Sequence, residues 1–395
     1  MRKKILQLNV TANWGSTGKI AEAIGTEVLN AGWDSVIAYG RYSNSSKSQL
    51  IRVGNKFDVY THYIEQFFRD NEGLCSRAAT KKLISQIKCI NPDIVHLHNI
   101  HDHWLNYQLL FEYLNTTDIK VVWTFHDCWA FTGHCFHFVS KGCDRWKNGC
   151  FDCPLKSEYP KTLIDNSRSN YALKRKLFTG CKNLTVVCCS NWMAELVRES
   201  FFKDKRIEII HNGIDLNVFK HDNYTSRVGS QFNILAVSNV WSKQKGLEDI
   251  FELRKLLPFD YQFTIVGLSE KQIKSLPEGI KGIERTGSVE DLVKLYCSSD
   301  VLINTSYADT FPTVNLEALA CGIPVITYRT GGSPEAIDSK TGVVVTQGNV
   351  DEMCLAIRKL KSEPLHSKDC RLRAESYFDK DKCFKKYIDL YQSIL

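Results

Sequence analysis

Short runs of aliphatic and β-branched residues alternate with longer stretches of helical period along nearly the whole chain. Ile5–Thr11, Ser35–Tyr39, Ile94–Leu97, Val121–Thr124, Leu184–Cys188 and Ile207–Ile210 are apolar in nearly continuous runs, as strands buried on both faces of a parallel sheet are. Between them, Gly18–Ala31, Ser76–Ile90 and Ser190–Glu199 carry the apolar spacing of amphipathic helices, the last opening on Ser190, a good helix cap. The pattern then restarts. Phe232–Val237, Gln262–Val266, Val301–Asn304, Pro324–Thr327 and Val343–Val345 read as strands, with helices near Leu247–Leu257, Val289–Cys297, Val314–Ala320 and Val350–Lys361. His211–Asp215 separates the two series, and the polar stretch Lys220–Ser230 after it reads as a linker. The alternation predicts an α/β protein of two doubly wound, Rossmann-like domains that join near residue 212 and face each other across a cleft.

Composition narrows the class. A chain of 395 residues with 43% hydrophobic and 24% charged residues is an ordinary globular protein, which excludes wholesale disorder, collagen-like repeats and a coiled-coil rod. No run approaches the ~18 apolar residues of a membrane-spanning helix. The first residues turn polar too soon for the apolar core of a signal peptide, so the chain is expected to be cytoplasmic. Charge is uneven: up to Asn212 there are 28 Lys and Arg against 20 Asp and Glu, a net +8, while the remainder is close to neutral. A basic first half suits an anionic partner, whether a membrane surface, a nucleic acid or a phosphorylated substrate.

Fifteen cysteines without an export signal argue for reduced thiols, and five of them crowd between Cys128 and Cys153. Cys135, Cys143, Cys150 and Cys153, ending in a C-x2-C pair amid turn-forming residues, have the spacing of a structural zinc held by four thiolates. Unliganded thiols are the plainer alternative, and an iron–sulfur cluster a third.

Two further segments carry candidate chemistry. Gly15, Ser16 and Gly18 lie in a glycine-rich turn between the first strand and helix, where free backbone N–H groups suit a phosphate. The turn lacks the spacing of a Walker A loop and is not G-x-G-x-x-G; a simple tight turn is the alternative reading. After the strand Val301–Asn304, Asp309 falls on a loop and Glu317 on the helix that follows, so two carboxylates can meet one polyhydroxyl ligand at separate points.

The run Ser306–Ile326, with Asp309, Phe311 two places on, Glu317 seven intervening residues later, and Leu316-Glu317-Ala318-Leu319-Ala320-Cys321-Gly322-Ile323-Pro324-Val325, resembles the signature of retaining glycosyltransferases of the GT-B fold, in particular glycosyltransferase family 4. Ile209–Asp215 with Phe219, Lys245-Gly246, Gly267, Thr286-Gly287, Gly331-Gly332-Ser333-Pro334-Glu335 and Phe378–Leu395 extend the likeness over nearly the full chain. The resemblance implies a nucleotide-sugar domain at 213–376, in which Glu317 takes the ribose, Lys245 the diphosphate and Asp309 the sugar, with Thr310, Phe311, Pro312 and Thr313 around them. Asn239 stands where many members carry an arginine, and Pro312 where glycine is commoner. It also implies an acceptor-side domain at 1–212 with a Cys-rich insert at 128–153, and a final helix, 377–395, that crosses back to the first domain. His126, after the strand Val121–Thr124, is a candidate for holding the transferred sugar or acceptor.

The expected reaction moves a hexosyl-type sugar from a UDP- or GDP-sugar to a lipid-linked glycan, with retention, in the making of a surface polysaccharide. No catalytic metal is implied, since no Asp-x-Asp triplet suited to chelating one beside a nucleotide is found. The basic half is expected to rest on an anionic inner leaflet, and no nucleic-acid partner is expected. The alternatives are a zinc-containing nucleic-acid-binding protein and a nucleotide-sugar 2-epimerase of the same fold.

Overall fold

The computed structural model describes residues 2–220 and 231–395. Most of the expected linker Lys220–Ser230, namely residues 221–230, lies outside the described residues. The chain divides into two compact units, Met1–His211 with Phe384–Leu395, and Asn212–Cys383.

In the N-terminal unit the strands are β1 (Lys4–Asn9), β2 (Asp34–Tyr39), β3 (Gln49–Arg52), β4 (Ile94–Leu97), β5 (Lys120–Phe125), β6 (Leu184–Cys188) and β7 (Arg206–Ile209). Among the described residues they form one parallel sheet in the order β3-β2-β1-β4-β5-β6-β7. The helices are α1 (Gly15–Asn30), α2 (Lys56–Arg69), α3 (Arg77–Ile90), α4 (Tyr107–Leu114), α5 (Ser167–Gly180) and α6 (Asn191–Glu199), the last capped by the Ser190 hydroxyl on the Met193 N–H as its sequence predicts. One sheet face packs on Leu83, Leu110, Phe111, Phe178 and Val197 of α3 to α6. The other packs on Ile20, Ile24 and Val28 of α1 and on residues of the last helix of the chain, Phe384, Tyr387, Ile388 and Tyr391.

The second unit holds β8 (Phe232–Val237), β9 (Tyr261–Val266), β10 (Ile280–Ile283), β11 (Val301–Asn304), β12 (Val325–Tyr328) and β13 (Gly342–Val345), all parallel, in the order β10-β9-β8-β11-β12-β13. Its helices are α7 (Leu247–Leu256), α8 (Glu270–Lys274), α9 (Val289–Cys297), α10 (Thr313–Ala320), α11 (Val350–Ser362) and α12 (Ser367–Tyr377). Helix α13 (Lys380–Ile394) closes the chain, and from Phe384 onward it belongs to the N-terminal unit. The final helix expected at 377–395 is α13, which starts at Lys380, just after α12 ends at Tyr377. Both sheets reverse strand order beside their first strand, between β1 and β4 and between β8 and β11. In open parallel sheets, ligands bind beyond the carboxyl ends of the strands at such a reversal.

Candidate functional site

In the second unit, the reversal point brings together the loop after β8 and the loop after β11. Lys245 ends a short turn after β8, and Asp309 lies between β11 and α10. The Lys245 ammonium donates to Asp309 Oδ2 at 2.7 Å. The two segments are locked by backbone: Thr305 Oγ1 donates to the carbonyls of Lys245 (2.9 Å) and Gly246 (3.1 Å), and Tyr307 N–H donates to the Gln244 carbonyl (2.8 Å). Gly246 adopts φ +70° so close to this strand end that a Cβ would lie 2.2 Å from the Thr305 carbonyl oxygen.

Glu317 stands one turn into α10 and is half-buried, with Oε2 accepting from the Tyr296 hydroxyl of α9 at 2.7 Å. Tyr296 is itself fully buried. Sequence reading missed it, because at helical spacing in α9 it looks like any core aromatic. The start of α10 has Pro312 as its cap residue and no side-chain cap, so the backbone N–H groups of its first turn are not taken by a capping side chain. Asn304 Nδ2 donates to Asn315 Oδ1 (2.9 Å), and Thr327 Oγ1 lies 3.1 Å from Ser333 Oγ, tying α10 to β11, β12 and the Gly331-Gly332-Ser333 turn. Gly331 has φ +53°, and a Cβ there would sit 1.7 Å from the Asp309 carbonyl oxygen. That turn therefore holds the Asp309 loop in place.

The remaining expected donor residues surround the same strand ends. Thr310 and Phe311 are buried, the Phe311 ring 5.8 Å from Phe378. Gly267 follows β9 with φ +97°, packed on the Ser238 carbonyl, and Asn239 is exposed in the loop after β8. Thr286 and Gly287 precede α9, whose cap is Ser288.

In the N-terminal unit, α1 starts at Gly15 (φ +64°) without a side-chain cap, and Gly18 packs so tightly that a Cβ would meet Thr11 Oγ1 at 2.6 Å. Across the sheet reversal a chain of hydrogen bonds reaches His126. Gln7 Nε2 donates to the Ala21 carbonyl at 2.9 Å, which turns Gln7 Oε1 toward His98 Nε2 at 3.0 Å. His98 Nε2 must then carry the proton, so His98 Nδ1 accepts from His126 Nε2 at 3.0 Å. The chain fixes the tautomer: His126 presents Nδ1 as an acceptor. Burial holds the His126 pKa down to about 4 and His98 well below its ordinary value, so both rings are neutral at pH 7.

His96, on β4 two residues before His98, bridges Tyr391 (Nδ1 to the hydroxyl, 2.6 Å) and Thr124 (Nε2 to Oγ1, 2.8 Å), and Thr124 Oγ1 lies 3.0 Å from the Tyr387 hydroxyl. These bonds pin α13 to the sheet. His101 pairs instead with Asp127 at 2.9 Å. Burial alone would push that carboxyl up, but His101 outweighs it and holds Asp127 at about 2.

Among the described residues, one group of three or more His, Cys, Asp or Glu side chains has donor atoms all within 4.8 Å of one another: His62, Glu72 and His103, all buried. Both ring nitrogens of His62 are taken, Nε2 by the Gly73 N–H (3.1 Å) and Nδ1 by Ser76 Oγ (2.9 Å). Glu72 Oε1 accepts the N–H groups of Asp102 and His103, both at positive φ, and Oε2 faces His103 Nδ1 at 2.5 Å. This cluster reads as an ion pair that braces a strained loop.

Cys135, Cys143, Cys150 and Cys153 line one cavity of about 10 Å³, room for a single small ion. Their sulfurs are not drawn within 4.8 Å as a set. The Cys135 thiol donates to Cys153, holding Cys153 down to about 7, and Cys150 Sγ accepts the Gly133 N–H at 3.1 Å. Beside them Lys174 is buried, and among the described residues no carboxylate pairs with its ammonium, which donates to the carbonyls of Trp129 (2.8 Å) and Thr132 (3.1 Å).

Residues 19–218 match the family model for Glycosyltransferase Family 4, and residues 231–363 that for Glycosyl transferases group 1. The chain is 24% identical over 416 residues to a putative colanic acid biosynthesis glycosyl transferase, WcaC, of Escherichia coli K12, spanning 99% of this chain and all of that one. In fold it is similar to sucrose-phosphate synthase of Thermosynechococcus elongatus (TM-score 0.75, 17% identity, 100% and 99% coverage). It is also similar to HepE of Anabaena in complex with UDP-glucose (TM-score 0.63, 16%, 99% and 100%). A third likeness is to WaaG, a glycosyltransferase involved in lipopolysaccharide biosynthesis (TM-score 0.67, 16%, 96% and 98%).

Proposed function

Because this chain belongs to glycosyltransferase family 4, with the GT-B fold, we propose that it transfers a hexosyl-type sugar from a UDP- or GDP-sugar to a lipid-linked glycan, in the synthesis of a cell-surface polysaccharide. The observation that carries this reading is the Lys245–Asp309 ion pair at the reversal point of the second sheet, beside the uncapped start of α10 and Glu317. Until a donor arrives, the pair satisfies both charges. Lys245 then turns to the diphosphate, Asp309 to the sugar hydroxyls and Glu317 to the ribose. The amides at the start of α10 add positive potential where negative charge grows on the leaving diphosphate. His126 accepts a hydrogen bond from a sugar or acceptor hydroxyl through Nδ1. Transfer with retention follows from front-face attack through an oxocarbenium-like state. The colanic acid name of WcaC and the UDP-glucose bound to HepE support the polysaccharide and nucleotide-sugar parts of the reading.

Calorimetric titration with UDP, GDP and ADP tests it. One of UDP and GDP is expected to bind, and Glu317→Ala to lose roughly tenfold or more in affinity while keeping its melting temperature. Absence of binding by all three, or an unchanged affinity in Glu317→Ala, overturns it.

The cysteine cluster supports a structural zinc. A C-x2-C pair, two further thiols on the same small cavity, an N–H donor to one sulfur and a buried lysine beside the set suit an anionic tetrathiolate. Tetrahedral thiolates stand about 3.8 Å apart, so loading would draw segment 135–153 inward. Zinc there would supply rigidity and no chemistry. Protein purified without chelator is expected to carry about one zinc per chain, and Cys150→Ser to lose it together with several degrees of melting temperature. Metal-free protein whose stability ignores added zinc removes the proposal.

The +8 charge of the first half and the lipid-linked acceptor together support a peripheral position on an anionic membrane surface. No helix among the described residues is long and apolar enough to cross a membrane.

A further inference from the structure

Helix α2 is built inside out. Its two buried side chains are polar: His62, bonded to Gly73 and Ser76, and Gln66, whose Nε2 donates to the Pro160 carbonyl at 3.2 Å. At 100° per residue, Phe57, Tyr60, Ile64 and Phe68 fall on the opposite face. There they are exposed, by 71%, 62%, 37% and 55%. A helix resting on its own protein ordinarily turns its apolar stripe inward.

The segment 159–164 lies along the same helix, with Leu163 N–H donating to the Phe67 carbonyl at 2.9 Å and Thr162 Oγ1 to the same oxygen at 3.1 Å. It adds exposed Tyr159, Leu163 and Ile164 to the patch. Both ends of α2 are fixed: Asn55 and Asp58 close a capping box at the start, and Asp70 at the end accepts the Asn166 N–H at 2.9 Å. The aromatic face is thus a rigid platform.

Its charges are arranged to match. Lys56 on α2 and Lys156 and Lys161 on or beside the adjoining segment are exposed, and among the described residues none of them makes an ion pair. The carboxylates of the same segments are turned to internal partners: Asp58 to the Asn55 N–H, Glu65 to the Cys75 thiol, Asp165 to the N–H groups of Cys153 and Ser167, and Glu158 to Lys141. A second copy of the chain packed here about a two-fold axis would set these cations against themselves.

We propose that this face lies on an anionic lipid bilayer, with α2 flat in the interface, its Phe and Ile side chains at the acyl boundary, its tyrosine hydroxyls among the head groups, and the three lysines on lipid phosphates. Phenylalanine and tyrosine rimmed by lysine and arginine are the side chains that interface favours. The inference rests on the lipid-linked acceptor proposed above and assigns the surface through which the enzyme reaches it.

Flotation with phosphatidylcholine vesicles, with and without phosphatidylglycerol, tests the assignment on the full chain. Wild type should float with the anionic vesicles and lose them at high salt. The triple variant Phe57→Ser/Tyr60→Ser/Phe68→Ser should bind them on the order of a hundredfold more weakly. Lys56→Glu/Lys161→Glu, which leaves the aromatic face intact, should also weaken binding. A control, Phe259→Ser/Leu355→Ser, removes two equally exposed apolar side chains of the second unit and should float as wild type does.

Equal flotation of the triple variant and wild type overturns the assignment while leaving membrane association standing. A wild type that floats with neither vesicle overturns both. A lipid-free dimer that dissociates in the triple variant assigns the face to a second copy and overturns the proposal. Nucleotide titration of the same variants reads the donor site independently.

Discussion

The His126 ring owes its usefulness to residues that never reach the substrate. In the proposed reaction an imidazole must present a lone pair, and the chain Ala21 carbonyl, Gln7, His98, His126 leaves that lone pair on Nδ1. Gln7 is a positioning residue here. Replacing it with methionine keeps its volume and removes the acceptor that orients His98, so His126 is free to take the other tautomer. Gln7→Met is expected to lower kcat by about tenfold or more with little change in KM for the donor, and the 15N shifts of the His126 ring should report mixed tautomers. An unchanged kcat with a single tautomer would show that His126 is oriented by something else. The sequence singled out His126 but not its link to His98 and Gln7. Gln7 on β1 pairs with His96 on β4, and His98 follows two residues later, just past that strand, so the contact between Gln7 and His98 exists only once the sheet is formed.

At the scale of elements, the donor loops depend on glycines where two backbones meet. Gly331→Ala would force an L-residue to φ +53° and drive its Cβ into the Asp309 carbonyl. The left-handed conformation alone costs about 1–2 kcal/mol, and displacing the loop adds to it. We expect a melting temperature lower by several degrees and nucleotide affinity reduced at least about tenfold, whereas Gly142→Ala, with open space around its Cβ, should leave affinity unchanged. The Gly-Gly-x-x-Glu turn, the acid-to-Glu spacing and the Lys-Gly pair were legible because a short motif fixes each locally. Most of the strands that form the two sheets were legible too: Ile94–Leu97, Leu184–Cys188, Phe232–Val237 and Val301–Asn304 coincide with the apolar runs. The short strands β3 and β10 were not, being only half-buried at sheet edges where the apolar signal is weak. Helix α2 escaped for a different reason. The helical spacing of Phe57, Tyr60, Ile64 and Phe68 is there to read, but such a stripe is expected to turn inward, and only the fold shows that it faces outward.

At the scale of the whole molecule, six buried or half-buried histidines among the described residues form two sets with opposite pH signatures. His96, His98 and His126 are held neutral by burial, with values of about 3 for His96 and about 4 for His126. Below pH ~6.5 the unfolded chain takes up protons on these rings and the folded chain does not, so stability falls as pH drops toward 4, by about 1.4 kcal/mol per pH unit for each ring. His101, His103 and His134 are raised by Asp127, Glu72 and Asp70, so their contribution is complete below the unfolded value and is lost as pH rises through the folded one. Melting curves should therefore fall off on both sides of near-neutral pH, and His126→Asn should flatten the acid limb by one proton; an acid limb of unchanged slope contradicts the assignment. The attachment of α13 has a consequence for how the enzyme is made. Residues from Phe384 onward complete the core around Ile5, Ile94, Val122 and Val187, yet the ribosome delivers them only after the whole second unit. At about 5–20 residues per second, the sheet face that Tyr387 and Tyr391 will cover waits some 9–34 s for its last helix. The nascent N-terminal unit thus spends that interval with an apolar groove open, the stage of its life at which a chaperone has most to protect.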